Sequence, residues 1–187
     1  TLYSEAAEAA MLCVDFPYME KLTNIVLKHA RSLTDKIKIH DLMIQSHYAK
    51  NDLIKGIDEG LGVLNLLGYR FPKNPMIFHT ISKLIRTKLV LSFTGIDKIQ
   101  HLKDMDNPRI LAANRIMLHL GHAAYGAAPN LAPILPLQAI LSAIKYGIAP
   151  ETPSFLVAYA IILCGKLGDI SNDIRFANLA LSLAERE

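Results

Sequence analysis

A histidine directly followed by an aspartate is the pair in this sequence with the most direct catalytic potential. His40 and Asp41 stand together in the segment KIHDLM. A metal-dependent phosphohydrolase of the H-D type would need this pair plus further ligands from other helices, because a metal site takes three or more protein ligands. No further ligand can be assigned from the sequence, and charged residues of an amphipathic helix usually form its solvated face. A helical metal-dependent hydrolase using His40-Asp41 is therefore an alternative, not the main hypothesis.

A second possible metal site is a pair of histidines on one helix face. His119 and His122 are three residues apart in RILAANRIMLHLGHAAYG, a spacing that brings side chains to the same face. A zinc site needs three or four ligands and supporting groups, yet no carboxylate or cysteine lies within two turns of the pair. The segment HLKDMD also offers a histidine and two aspartates. We expect no catalytic or cofactor-binding residue and no bound metal, which metal analysis of the pure protein would check.

Three glycines interrupt an amphipathic helical segment, NDLIKGIDEGLGVLNLLGYRFP. These are Gly56, Gly60 and Gly62, and each costs about 1 kcal/mol relative to alanine inside a helix. A dinucleotide-binding loop needs G-x-G-x-x-G after a strand, and a P-loop needs G-x-x-x-x-G-K-[ST]. Neither order is present, and the preceding segment KIKIHDLMIQSHYAK has helical periodicity. Close packing against a neighbouring helix is therefore favoured over phosphate binding.

The composition is more hydrophobic than that of a typical soluble protein. Of 187 residues, 51% are hydrophobic and 20% are charged, and the mean hydropathy is +0.25. Either the chain is a membrane protein, or it is a piece of a larger protein whose exposed faces are normally covered. The longest near-apolar stretch, SFLVAYAIILCG, is shorter than the roughly 20 residues of a membrane span. No basic-then-apolar leader opens the chain, and its start without methionine favours an excised or processed fragment.

Charge and cysteine content limit the partners and the compartment. The formal net charge is +3, with lysines and arginines spread along the chain. This is not the concentrated basic patch of a nucleic-acid-binding protein. Cys13 and Cys164 both lie in apolar helical contexts, which predicts free, buried thiols and a cytoplasmic location.

Turn-forming residues recur at a nearly constant interval. The joints are DFP at 15–17, KND at 50–52, FTG at 93–95, AAPN at 127–130 and LGDIS at 167–171. Asp15 and Asp52 are 37 residues apart, and Asn130 and Asp169 are 39 apart. A repeat of this length that contains two helices is typical of an α-solenoid. The sequence therefore predicts an all-α fold, an α-α superhelix of about five divergent tetratricopeptide-like helical hairpins, in a single domain over residues 1–187.

The individual helices can be placed between these joints. With boundaries uncertain by two to four residues, the sequence predicts a partial helix at the start and helices near 17–31, 36–50, 52–67, 75–92, 96–104, 108–126, 131–146, 153–167 and 170–185.

Aligning the joints predicts which positions face a partner helix. The positions eight residues after three of the joints hold small residues: Thr23, Gly60 and Ala177. Those twelve residues after the same joints hold leucine: Leu27, Leu64 and Leu181. Small residues let paired helices approach closely. We therefore expect Gly60 and Ala177 to be buried, so that leucine at either position costs about 1–3 kcal/mol. Gly56 would widen the same contact, and Gly62 has no assigned role.

The C-terminal part carries residues that match a known family. They lie in YGIAPETPSFLVAYAIILCGKLGDISNDIRFANLALSLAE and are Tyr146-Gly147, Ser154, Tyr159, Gly165, Gly168-Asp169 and Phe176. This stretch resembles the helical-repeat region of multi-sensor signal transduction multi-kinases. In that family a serine/threonine kinase domain, an AAA or STAND-type ATPase, a tetratricopeptide-like region, a GAF sensor and a histidine kinase follow one another. GLGVLNLLGYRFP and LKDMDNP agree more loosely. The chain departs from a strict tetratricopeptide pattern in having no tryptophan.

The resemblance implies a non-catalytic scaffold that mediates interdomain or protein–protein interaction in a signalling ATPase/kinase, relaying between the ATPase and sensor kinase modules. The chain has no Gly-rich loop, H-R-D or D-F-G kinase motif. This segment is therefore expected not to be an enzyme, although the full-length protein would be a kinase. An alternative is a peptide- or inducer-binding repeat domain of a STAND-type transcriptional regulator. The expected partners are neighbouring domains or a signalling protein, with no nucleic acid and no membrane.

Both terminal segments carry more apolar surface than one helix contact uses. The last helix, NDIRFANLALSLAERE, is mostly apolar, and the opening TLYSEAAEAAMLCV is rich in alanine and large apolar groups. Terminal repeats of a solenoid normally have a polar outer face. We therefore expect at least one uncapped end, which would form a homodimer through a terminal helix in the isolated fragment.

Overall fold

The computed structural model describes residues 2–30, 32–72, 74–167 and 170–186, and this part of the chain is helical apart from short connections. The helices are α1 (Leu2–Leu12), α2 (Phe16–His29), α3 (Leu33–Ala49), α4 (Leu53–Leu66), α5 (Ile77–Thr94), α6 (Ile96–Ile99), α7 (Pro108–Ala127), α8 (Ile134–Tyr146), α9 (Thr152–Ile162) and α10 (Ile170–Ala184). A π-helical turn, Leu163–Leu167, continues α9.

The predicted all-α class is confirmed. Among the described residues, pairing of β type is limited to an isolated parallel bridge between Asp104 and Ile148. Every predicted helix has a counterpart. The largest difference is at 96–104, where only Ile96–Ile99 is helical. The joint residues Gly168 and Asp169 lie outside the described residues.

The chain forms two compact units, Thr1–Arg70 and Phe71–Glu187.

The two hairpin turns of the first unit are built in the same way. Val14 and Asn51 have positive φ angles of 62° and 59°, and each is followed by an aspartate. Asp15 and Asp52 cap α2 and α4, because each carboxylate accepts a hydrogen bond from the backbone N–H three residues later. The backbone N–H of each aspartate also donates to the carbonyl five residues earlier, at 2.9 Å and 2.8 Å. The period of 37 residues thus corresponds to a repeated turn.

The packing explanation for the glycines is confirmed in α4. Gly56 and Gly60 are buried, and so is Thr23 at the equivalent position of α2. A β-carbon on Gly56 would lie 2.8 Å from Cδ1 of Tyr48 on α3, and closer still to Cε1. Gly62 is exposed, with no neighbouring atom within 4 Å of such a β-carbon. Gly56 therefore permits the α3–α4 contact, whereas Gly62 does not.

We expect Gly56→Ala to destabilise the first unit by about 1–3 kcal/mol, because the added methyl group overlaps the Tyr48 ring. In a Tyr48→Ala background the ring is absent, so Gly56→Ala should stabilise the first unit by up to about 1 kcal/mol, because alanine has the higher helix propensity. Urea unfolding of the four proteins measures both effects. Gly62→Ala is the matched control, since it adds a methyl group to the same helix in open space. Equal shifts for Gly56→Ala and Gly62→Ala would contradict the close approach.

The second unit is built around α8, which α5, α7 and α9 all contact. Eight of its residues are buried: Ile134, Leu135, Pro136, Leu137, Ala139, Ile140, Ser142 and Ala143. Its prolines stand at the N-terminal end, where no intrahelical N–H partner is lost. Much of the chain's high hydropathy is therefore the core of this unit. No helix of the described residues is long and apolar enough to cross a membrane.

The expectation that Ala177 is buried is wrong. Among the side chains that the structure describes in α10, residues 174–184, the buried ones are Phe176, Leu179, Ala180 and Leu183, whereas Ala177 is exposed and Leu181 is 59% exposed. A π-helical turn precedes α10, so the connection before α10 differs from the turns that precede α2 and α4. The helix α10 therefore turns a different face to its partner helix than α2 and α4 do.

The exposed side of α10 carries several apolar residues besides Arg175 and Asn178. Its exposed residues include Ile174, Ala177, Leu181 and Ala184, which recur at three- and four-residue intervals on one helix face. Pairing of two copies through this face stays a prediction.

The expectation of buried cysteines is also wrong. Cys13 and Cys164 are free, but both are exposed. Cys13 follows the end of α1, and Cys164 lies in the π-helical turn, so neither occupies the inward face of a helix.

Candidate functional site

The His40-Asp41 pair is part of a contact between α3 and α4. The Nδ1 atom of His40 lies 2.5 Å from Oε1 of Glu59 on α4. This hydrogen bond from His40 is the main reason that the pKa of Glu59 lies below its usual value. The described residues contain no group of three or more His, Cys, Asp or Glu side chains placed to hold a metal ion. The geometry therefore gives His40 a carboxylate partner that joins two helices.

Tyr48 lies in the same hairpin and packs on Gly56. Its hydroxyl is buried without a hydrogen-bond partner. Burial, together with the negative charge of Asp41, raises the pKa of Tyr48 to about 12. The side chain is therefore neutral at physiological pH and serves to pack the hairpin.

The two histidines of α7 have different surroundings. His122 is exposed, and it lines a groove described below. His119 is half-buried and acts electrostatically on Glu151, the residue that precedes α9. The two histidines therefore differ in burial and in neighbours, and the carboxylate near His119 comes from the residue before α9.

A groove runs between α7 and α9, and we call it the α7–α9 groove. Its volume is ≈ 880 Å³. It is lined by the second half of α7, by the segment that connects α7 to α8 together with the first turn of α8, and by α9 with its π-helical turn. The lining residues are Leu118, Gly121, His122, Tyr125, Pro129, Ala132, Pro133, Pro136, Ser154, Phe155, Ala158, Ile161, Ile162 and Gly165.

The rim of the groove exposes large apolar side chains. Tyr125 is 83% exposed and Ile161 is 64% exposed. Buried groups form the floor, including Pro136 and Phe155. At Gly121 a β-carbon would meet no atom within 4 Å, so the depth of the groove depends on the missing side chain. Apolar rims around a concave surface mark binding sites more often than scattered exposed residues do.

A polar cluster lies one helical turn from the groove. Glu151 precedes α9, and Arg115 lies on α7 one turn before Leu118. The Oε2 atom of Glu151 is buried and has no hydrogen-bond partner. Burial raises the pKa of Glu151, and the charges of Arg115 and His119 oppose this increase. The cluster thus offers an unfilled acceptor beside an otherwise apolar site.

Backbone hydrogen bonds fix the start of α9 and therefore the groove. The N–H of Ile148 donates to the carbonyl of Lys103 at 2.8 Å, and the N–H of Met105 donates to Ile148 at 2.7 Å. The hydroxyl of Thr152 accepts from the N–H of Ala149 at 2.9 Å. The two bonds of Ile148 join the α8–α9 connection to the segment before α7, and the Thr152 bond fixes the first turn of α9. Sequence reasoning missed the groove because its walls come from three segments.

Comparison of the chain with protein-family models, with curated proteins and with solved structures found no match. The resemblance to the multi-kinase repeat region therefore rests on the residues quoted for it.

Proposed function

We propose that the chain is a non-catalytic helical interaction module whose α7–α9 groove binds an apolar segment of a protein. The observation that carries this proposal is the exposure of Tyr125 and Ile161 on opposite walls of one concave surface. Tyrosine is enriched at protein interfaces because it combines a large apolar ring with a polar tip. Burying both side chains under a ligand removes apolar surface from water, which favours binding.

The dimensions of the groove suit a short segment. From Leu118 to Tyr125 the α7 wall spans about 10 Å at 1.5 Å per residue. This length matches one to two turns of a bound helix, which would place apolar side chains at i and i+4 in the groove.

The cellular setting is the second part of the proposal. The resemblance to multi-sensor multi-kinases favours a cytoplasmic connector between ATPase and sensor kinase modules, with a neighbouring domain as the partner. A solenoid of about five hairpins is the finer fold that we propose, and the identical turns at Val14-Asp15 and Asn51-Asp52 support it.

Filling the groove tests the proposal. Gly121→Leu should project a side chain into the empty space and block binding, yet it should not reduce stability because leucine favours the helix over glycine. Gly62→Leu is the matched control, since Gly62 is also a helical glycine in open space. The probes are synthetic helical peptides with leucine pairs at i, i+4. Their binding is measured by the changes that they cause in the amide NMR signals of His122, Tyr125 and Ile161.

We expect signal changes in the parental protein and in Gly62→Leu, and at least a tenfold weaker affinity in Gly121→Leu. Peptide binding that survives in Gly121→Leu, or that perturbs other residues only, would place the interaction elsewhere and reject the groove.

A small-molecule inducer is the second candidate ligand. The volume of ≈ 880 Å³ lies within the range of about 300–1,000 Å³ for small-molecule sites. A fragment screen by NMR distinguishes the two ligands. Saturable fragment binding at Tyr125 without any peptide binding would favour the inducer-binding regulator.

A further inference from the structure

The helix α5 buries two threonines and leaves most of its large apolar residues exposed. Its buried residues are Thr80, Thr87 and Leu91. Polar contacts tie it to α8, since Nζ of Lys83 donates to Oε1 of Gln138 at 2.5 Å. Two of the three buried side chains are thus small threonines, and the contact with α8 uses little of the helix's apolar surface.

The outward side of α5 carries a continuous row of large apolar residues. Its members recur at every fourth position: Ile77, Ile81, Ile85, Leu89 and Phe93, with Phe78 beside them. Their exposed fractions range from 49% for Ile81 to 86% for Phe93. Residues at four-residue spacing form the ridge that inserts into the groove of a crossing helix. We call this surface the α5 ridge.

The α5 ridge is large enough for a protein contact. With on the order of 150–200 Å² of surface for each full side chain, the six residues expose roughly 500–700 Å². The largest apolar patch on an ordinary monomer is about 300–600 Å², and one side of a standard interface is about 800 Å². A single docked helix would cover most of the ridge.

The acidic and basic side chains that α5 itself contributes have one sign. The helix contains Lys83, Arg86 and Lys88 but no Asp or Glu. At about 100° per residue, Arg86 and Lys88 fall on opposite edges of the exposed face, and both are exposed. A second copy of α5 would bring these cations against each other. A helix with acidic residues on both sides of its apolar stripe would pair with them.

Small polar residues lie between the large side chains of the ridge and leave space for the side chains of another helix. Ser82 and Ser92 are exposed between the large apolar side chains. They leave hollows into which the side chains of a crossing helix can insert. A bilayer surface would gain nothing from hydroxyl groups in the middle of the buried face.

We propose that the α5 ridge docks an amphipathic helix that carries an apolar stripe flanked by Asp or Glu. The surface is separate from the α7–α9 groove, so this inference goes beyond the proposed function and does not depend on it.

The test uses two synthetic helical peptides with the same leucine stripe. One is flanked by glutamates and its twin by lysines, and both carry a fluorescent label for anisotropy. The variant Ile81→Ser/Ile85→Ser removes the middle of the ridge. The matched control is Ile54→Ser/Leu66→Ser, which changes two exposed apolar residues of α4. We expect about tenfold weaker binding of the acidic peptide to the first variant and a change below twofold for the control.

The charge preference gives an independent readout. The acidic peptide should bind at least fivefold more tightly than its basic twin, with the difference reduced by salt. Arg86→Glu/Lys88→Glu should reverse the preference, and Gly121→Leu should leave binding unchanged.

Three outcomes would overturn the inference. Equal affinity for the acidic and the basic peptide would show that charge complementarity does not contribute to binding. Binding to vesicles of anionic lipid without any peptide preference would make the ridge a membrane surface. A concentration-dependent dimer that Ile81→Ser/Ile85→Ser abolishes would make a second copy the occupant.

Discussion

Gly147→Ala should destabilise the second unit by about 3 kcal/mol or more. Gly147 joins α8 to α9 with φ 112° and ψ 177°, a region that essentially only glycine adopts, at a cost of about 1–3 kcal/mol for other residues. A β-carbon there would also lie 2.5 Å from the carbonyl oxygen of Lys103. That oxygen belongs to the backbone and accepts from Ile148, so it cannot move without breaking a hydrogen bond.

Urea unfolding at neutral pH measures the effect, with Gly126→Ala as the control. Gly126 is a helical glycine of the same unit, and a β-carbon there meets no atom within 4 Å. Gly126→Ala should stabilise the second unit by up to about 1 kcal/mol, because alanine favours the helix over glycine. Similar urea midpoints for Gly147→Ala and the parental protein would show that Gly147 does not lie against the Lys103 carbonyl in a conformation that only glycine adopts.

Phe176→Ala should cost about 3–5 kcal/mol, the range for truncating a buried aromatic side chain. The Phe176 ring is buried and meets the ring of Tyr159 edge to face, with 4.8 Å between centroids. This contact holds α10 against α9.

The neighbouring substitution Ala177→Leu should change the free energy of unfolding by no more than about 0.5 kcal/mol, because it lies on the surface. The alignment of joints predicts the reverse, with Ala177 buried. Measuring both variants by the same unfolding curve decides between the two registers of α10. A larger loss for Ala177→Leu than for Phe176→Ala would restore the register that the sequence predicts.

The positions of the helices could be predicted because their signals are local. Asp15 and Asp52 cap the helices that follow them, and Asn107 caps α7 immediately before Pro108. A capping side chain acts within three residues, so the sequence contains the whole interaction. The role of Gly56 could also be predicted, since glycine is unfavourable inside a helix and close packing against a neighbouring helix is one reason to place it there.

The register of α10 and the candidate site could not be predicted, because both depend on distant segments. The π-helical turn at Leu163–Leu167 has no sequence pattern that counting residues detects. Glu151 reaches the surroundings of His119 only because α7 and α9 both pack with α8. The resemblance to the multi-kinase repeat region singles out Gly147. The physical reason that a glycine is needed there is the close approach of the Lys103 carbonyl, which the sequence does not reveal.

The long-range contacts of the second unit have a consequence for how the chain folds. In a solenoid each repeat contacts its neighbours, and folding can spread along the array from any point. The helices of the first unit contact near neighbours in the sequence, such as α1 with α2 and α3 with α4. In the second unit the guanidinium of Arg186 donates to the carbonyls of Gln100 and Leu102, both at 3.1 Å. Because closing such loops costs chain entropy before any contact compensates for it, a high contact order slows folding. The first unit should therefore fold in an early, fast phase, whereas the second should form in a later step that brings its C-terminal end to the segment around Gln100 and Leu102.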